Sequence, residues 1–184
     1  MRKKITYSQV GDNYETKDPI KKLAQSSAAK TGINLKKNGF KEISDSRGES
    51  AFVWSQGNIL MASVIEGLGT KNLVADETGK IVNPERSRRT YYDIIGHDTV
   101  ATIINDLVSV GAKPLTINAY WAVGESSWFK NKKRIKDLIS GWQSACNLAG
   151  VTWGGGETPT LKGIVEENSI DLAGSAIGII SPIK

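Results

Sequence analysis

The sequence predicts an α/β or α+β domain, a mixed sheet with helices on one face. Three observations carry this: apolar stretches of strand length, two long segments with apolar residues at helical spacing, and their alternation along the chain. With 184 residues, 39% of them hydrophobic and 23% charged, the chain can bury one good core and is short for two ordinary domains. A single domain over residues 1–184 is expected.

Residues 1–17 are polar and irregular. Asp18 followed by Pro19 reads as an N-cap with proline at the first helical position, so a helix is expected over 19–31 with Gly32 as its stop. Residues 34–50 mix Lys, Gly, Ser and Asp without periodicity and read as loop. Two strands follow, 51–54 and 59–65, joined by a turn through Ser55, Gln56, Gly57 and Asn58. The second is nearly all apolar, as expected for a strand covered on both faces. The stretch 76–89, with Gly79, Pro84 and mixed charges, reads as a surface loop.

A helix is expected over 92–110, because Val100, Ile103, Ile104, Leu107 and Val108 share one face; Gly111 ends it and Pro114 prevents continuation. Residues 115–123 alternate as a strand, with Ile117, Ala119 and Trp121 on one side. The next helix, 128–148, aligns Ile135, Leu138, Ile139, Trp142, Cys146 and Ala149, and Gly150 closes it. A short strand, 151–153, runs into a glycine block, and a last strand covers 170–180. Small residues at 174, 176 and 178 imply close approach of another backbone.

Composition narrows function. The net charge of +5 comes from 24 Lys and Arg mixed among 19 Asp and Glu, which reads as a solvated surface, with no nucleic acid partner. The start Met1-Arg2-Lys3-Lys4 lacks the apolar core of a signal peptide, and no apolar run approaches a membrane span, so a cytoplasmic protein is expected. One cysteine, Cys146, and one histidine, His97, exclude an internal disulfide and any multi-cysteine or multi-histidine metal site. Lys130, Lys132, Lys133, Arg134 and Lys136 read as a solvated face, and the five tryptophans as core or interface residues.

Three blocks carry chemistry. Glu66-Gly67-Leu68-Gly69-Thr70-Lys71 ends a strand with a carboxylate, glycines that bare backbone amides, and a lysine able to neutralise phosphate. Its spacing is not that of a Walker A loop, and an ordinary strand-to-helix turn fits equally. Asp98, Thr102, Asn105 and Ser109 form a polar stripe on a helix, with Asp106 at the boundary of the apolar face. A carboxylate there either is solvated or holds a cation, for which magnesium is suited. Gly154-Gly155-Gly156-Glu157-Thr158 places three glycines in a row, more than a plain turn needs.

Taken in order, these blocks resemble the aminoimidazole ribonucleotide synthetase family, also called phosphoribosylformylglycinamidine cyclo-ligase. Thr6-Tyr7-Ser8-Gln9-Val10-Gly11, Gly67-Leu68-Gly69-Thr70-Lys71, Asp93-Ile94-Ile95-Gly96-His97-Asp98, Asn105-Asp106-Leu107-Val108 with Gly111-Ala112-Lys113-Pro114, Gly155-Gly156-Glu157-Thr158 and Asp171-Leu172-Ala173-Gly174 carry it over most of the chain. The resemblance implies an N-terminal ATP-binding domain whose sheet pairs into a barrel across a homodimer. It implies a purine-biosynthesis ligase that phosphorylates an amide oxygen of formylglycinamidine ribonucleotide and closes the imidazole ring. Carried over by position, Glu66, Asp106 and Glu157 are expected metal ligands for Mg2+. Gly67, Gly69, Thr70, Lys71, Asp98, Asn105, Gly155, Gly156 and Thr158 are expected ATP contacts, with Lys71 and Asp106 in catalytic roles.

Four departures accompany the resemblance, one being an excursion between about 76 and 89 that looks inserted. The family has Asp where this chain has Glu66, its glycine-rich stretch is reduced here to Gly39-Phe40 and a charged segment, and its second domain is expected to be absent from this chain, so that the isolated domain is expected to be inactive. The alternatives are a relative with the same ATP chemistry (selenophosphate synthetase, thiamine-monophosphate kinase, formylglycinamidine synthetase or a hydrogenase-maturation factor), or a non-catalytic nucleotide-binding dimerisation module.

Overall fold

The computed structural model describes residues 6–82 and 89–180. Six strands, β1 (Lys41–Glu42), β2 (Phe52–Gln56), β3 (Ile59–Gly67), β4 (Lys113–Val123), β5 (Thr152–Glu157) and β6 (Ile170–Ile180), form one sheet in the order β1-β2-β3-β6-β4-β5. Every neighbouring pair is antiparallel except β4 and β5, which are parallel. β3, β4 and β5 therefore run the same way and end at one edge of the sheet.

Two helices cover one face, α4 (Tyr92–Ser109) and α5 (Lys132–Ala149), and α3 (Lys71–Ile81) joins β3 to the segment before α4. Beneath them the alternate residues Ile117, Ala119 and Trp121 of β4, and Ile170, Leu172 and Ala176 of β6, are buried with Ile103, Leu107, Leu138 and Trp142 of the helices. Trp142 packs edge-on against Trp121 at 5.5 Å, and Trp153 closes the cluster. The core is sealed by glycine. A Cβ on Gly174 would lie 2.5 Å from the Asn118 carbonyl oxygen and 2.7 Å from Ile103, so only glycine lets β4, β6 and α4 approach this closely. Where α4 crosses α5, a Cβ on Gly141 would fall on the Asp93 carbonyl. The expectation drawn from the small residues of the last strand holds.

Several local expectations are corrected. The first helix, α1, spans Tyr14–Ala29 and is capped by Asn13, whose side chain accepts from the Glu15 amide at 2.9 Å. Pro19 lies inside it and Asp18 is not the cap; an asparagine cap at 13 adds a turn ahead of the proline. Gly32 ends a short 3-10 turn in right-handed conformation and leads into α2 (Ile33–Lys37), so the region 34–50, read as loop, contains α2, β1 and a 3-10 turn over Ser44–Ser46. β3 is covered on one face only: Ala62 and Val64 are buried while Ile65 is 78% exposed. Its continuous apolar run hides an alternation set by the helices on one side.

The segment 76–89, read as loop, is helical through Ile81, where α3 buries its Ala75 in the core and holds the Tyr92 hydroxyl through Asp76; 83–88 lies outside the described residues. The helix expected over 128–148 divides into a 3-10 turn, Ser126–Lys130, and α5, because Asn131 breaks the path and caps α5 through the Arg134 amide. Val108 and Ile139, placed on apolar faces, are exposed. Arg134 is not a solvated cation: its guanidinium stacks 3.9 Å over Trp128 and donates to the Trp128 carbonyl at 2.7 Å. Cys146 is buried as expected, and burial pushes its thiol up to about 11.

Candidate functional site

The first block turns the corner from β3 to α3. Glu66 pairs with Gly174 of β6, Leu68 donates its amide to the Leu172 carbonyl at 2.8 Å, and Gly69 takes φ +71, a left-handed conformation that glycine adopts without strain. Gly67 has no such need: its φ is ordinary and the nearest atoms to an added Cβ are 3.8 Å away. Its glycine is therefore unexplained by packing within this chain. Thr70 precedes α3 without capping it through its hydroxyl, so its side chain and the first amides of α3 stay available. α3 is anchored by the buried Asn72, whose side chain donates to the Ile170 carbonyl at 2.8 Å, and by Tyr92, whose hydroxyl donates to both Asp76 oxygens at 3.1 Å. Burial pushes the Asp76 carboxyl above its ordinary value, against the pull of the Tyr92 hydrogen bond.

Lys71 reaches Asp98 of α4 at 3.3 Å, which joins the first and second blocks. Both side chains are partly exposed, so the pair itself is worth below about 1 kcal/mol and an incoming anion can compete for the lysine. A helix N-terminus, bare amides and a lysine make this corner suited to phosphate.

The remaining expected ligands do not converge on it within one chain. Asp106 lies eight residues after Asp98 on α4, about 12 Å along the axis. Asn105 beside it is exposed. Glu66, Gly174, Ala119 and Gly156 form one row across β3, β6, β4 and β5, which sets the third block about 14 Å from the first along the same sheet edge. Glu66 is on the helix-covered face. Glu157, paired with Tyr120, is on the open face. Among the described residues no three His, Cys, Asp or Glu side chains gather as a metal site.

The glycine run of the third block is not a turn. It lies in β5, with Gly155 at φ +145 opposite a register shift in β4, and Gly156 seated on the Ala119 backbone where a Cβ would collide. Strand geometry accounts for both of these glycines. Thr158 follows the strand end and is exposed. His97, with Asp93, Ser140 and Ser144, lines a cleft between α4 and α5. The open face of the sheet carries Ile65, Tyr120, Ala173 and Ser175 around a depression of about 440 Å³, next to Glu157.

Fold and site together define a class: a mixed-sheet α/β domain that presents a glycine turn, a helix N-terminus and a lysine at the edge where three strands end. The model of the family described as AIR synthase related protein, N-terminal domain, matches residues 49–180, and the chain belongs to that family. Relatives named phosphoribosylformylglycinamidine cyclo-ligase include that of Pyrococcus furiosus, 33% identical over 181 residues, which are 98% of this chain and 48% of the relative. That of Thermococcus kodakarensis is 31% identical over the same shares, and that of Carboxydothermus hydrogenoformans 35% identical over 125 residues, 68% of this chain and 32% of the relative. The chain spans about half the length of the first two relatives. Among solved structures, AaThiL complexed with AMPPCP and TMP matches with TM-score 0.53 at 11% identity, over 72% of this chain and 36% of that one. The protein tt0281 from Thermus thermophilus matches with TM-score 0.51 at 14% identity, over 73% and 37%. These two likenesses concern the fold alone.

Proposed function

We propose that this chain is the nucleotide-binding half of a phosphoribosylformylglycinamidine cyclo-ligase, acting in purine biosynthesis on formylglycinamidine ribonucleotide with ATP. The observation that carries this is the alignment of nearly the whole chain with relatives of that name, including the corner at which Lys71 meets Asp98. A fold neighbour bound to AMPPCP, a non-hydrolysable ATP analogue, agrees with a nucleotide at such a domain.

In this reading the amides of Gly69, Thr70 and Lys71 and the Lys71 ammonium hold the triphosphate, Thr70 adds its hydroxyl, and Asp98 keeps Lys71 aimed before the nucleotide arrives. Stabilising the charge that develops on a transferred phosphoryl group is the work such donors do. Glu66, Asp106 and Glu157 do not form a magnesium cage within one chain. A nucleotide's magnesium needs only one or two carboxylates beside phosphate oxygens, and Asp98 at the corner is the carboxylate placed to serve. When bound, the ion would offset phosphate charge. Asn105, Asp106, Gly155, Gly156, Glu157 and Thr158 then belong to the rest of the cleft. The open sheet face, with Ile65 exposed beside Tyr120 and Glu157, is the surface through which two copies would pair into a barrel.

Calorimetric titration of ATP with magnesium tests the assignment. Lys71→Ala is expected to weaken binding about ten- to a hundredfold, the worth of a charge-assisted hydrogen bond. Equal affinity in both proteins contradicts the phosphate corner.

A further inference from the structure

α3 carries Lys71 as its first residue, and little apolar burial holds it in place. Of its 11 residues only Asn72 and Ala75 are buried, while Leu73, Val74 and Ile81 are exposed. So short a helix needs tertiary contacts to persist. Those that tie it down are polar. Asn72 donates to the Ile170 carbonyl at 2.8 Å, and one turn later Asp76 accepts the Tyr92 hydroxyl on both oxygens. A helix held at Asn72 alone can roll about that point, and roll is what aims Lys71, about 100° round the axis from Asn72. The second hold, four residues further along the same face, removes that freedom.

Tyr92 is a fixed point for this hold. It is wholly buried, its ring stands edge-on to Trp128 at 5.4 Å, and the Arg134 guanidinium covers Trp128 from 3.9 Å. For stability alone a half-buried carboxylate opposite it is a poor choice, since burial works against the charge of Asp76 and an apolar side chain would carry no such cost. Two ties therefore join α3 to α4: Lys71 to Asp98 at 3.3 Å and Asp76 to Tyr92 at 3.1 Å. From 71 to 76 is about 7.5 Å along α3, and from 92 to 98 about 9 Å along α4, so the helices run antiparallel with the two ties in step. An anion that draws Lys71 off Asp98 breaks the first tie and leaves the second.

We propose, on the reading of the Lys71 corner as a phosphate site, that Tyr92 is a positioning residue: through Asp76 it holds α3 against α4 while Lys71 is engaged with phosphate. Tyr92 touches no ligand. It keeps the lysine in one orientation, so that less freedom is lost when phosphate binds.

Calorimetric titration of ATP with magnesium, at a temperature where circular dichroism shows every variant folded, tests this role. Tyr92→Phe removes the hydroxyl and keeps the ring on Trp128. It is expected to weaken binding about tenfold, the worth of one hydrogen bond to a charged group, and Asp76→Ala by a similar factor. Asp76→Asn, whose amide oxygen still accepts from Tyr92, is expected to stay within about twofold of the parent. In a Lys71→Ala background Tyr92→Phe should have no further effect, because the group it aims is gone. Parent affinity in Tyr92→Phe, beside a weakened Lys71→Ala, overturns the role of Tyr92 and leaves the phosphate corner standing. An equal loss in both backgrounds, the mark of a structural defect, overturns it too. Parent affinity in Lys71→Ala overturns the corner, and the role of Tyr92 with it.

Discussion

Gly141→Ala should destabilise this protein although alanine is the better helix former. In α5 the substitution alone would add up to about 1 kcal/mol of helix propensity. Its Cβ, however, meets the carbonyl group of Asp93 in α4, closer than real side-chain carbons approach backbone, and Gly96 forms the other half of the crossing, where a Cβ would lie 2.5 Å from the Leu138 carbonyl oxygen. Neither obstacle is a flexible side chain, so the two helices must separate over the most tightly packed part of the core. Overpacking of this kind costs about 3 kcal/mol. The net loss is about 2 kcal/mol, a fall in Tm of about 4–8 °C for a chain of this size. Gly79→Ala in α3 is the matched control. A Cβ there has open space, and the change should raise Tm by about 2–4 °C. Thermal unfolding of both variants by calorimetry or circular dichroism decides the matter: a Gly141→Ala protein as stable as the parent would refute the close crossing of α4 and α5.

Three further outcomes are expected. Burial raises the Asp76 carboxyl, so the folded state holds its proton more tightly than the unfolded chain; this stabilisation is full below the ordinary value of 3.8 and is lost as pH rises through the raised folded value. Asp76→Asn should therefore remove that downward slope from a plot of unfolding free energy against pH, and an unchanged slope would assign it elsewhere. Cys146, buried and with its thiol pushed up to about 11, should react with a thiol reagent at neutral pH only at the rate of unfolding; fast labelling of the native protein would contradict its place on the buried face of α5. If two copies pair through the open face as proposed, Ile65→Asp there should shift sedimentation from dimer to monomer, since Ile65 is exposed in the single chain; an unaltered sedimentation coefficient would contradict pairing through that face.

The long elements were legible in the sequence because local pattern and packing agree there: the apolar faces of 92–110 and 128–148 and the alternation at 115–123 became α4, α5 and β4. Failures arose where two local signals competed. Asp18-Pro19 carries a helix-start signature, yet Asn13 caps α1 and the chain carries proline inside a helix with no buried residue. The apolar run of β3 concealed its exposed side, because nothing in 59–65 says that helices cover one face only. At the candidate site, the Lys71 turn was legible from its glycines, whereas its partner Asp98 depended on how α4 lies over the sheet. The glycines at 155 and 156 suggested a ligand and are explained by their seat against β4.

We have proposed that the corner from Gly67 to Lys71 holds a nucleotide triphosphate through its free amides. Amide hydrogen exchange read residue by residue, with and without ATP and magnesium, tests it most directly. Slowed exchange is expected at Gly69, Thr70 and Lys71, abolished by Lys71→Ala, while the Leu68 amide, bonded to the Leu172 carbonyl, is protected already in the free chain. Binding that leaves these amides exchanging as in the free chain would contradict it.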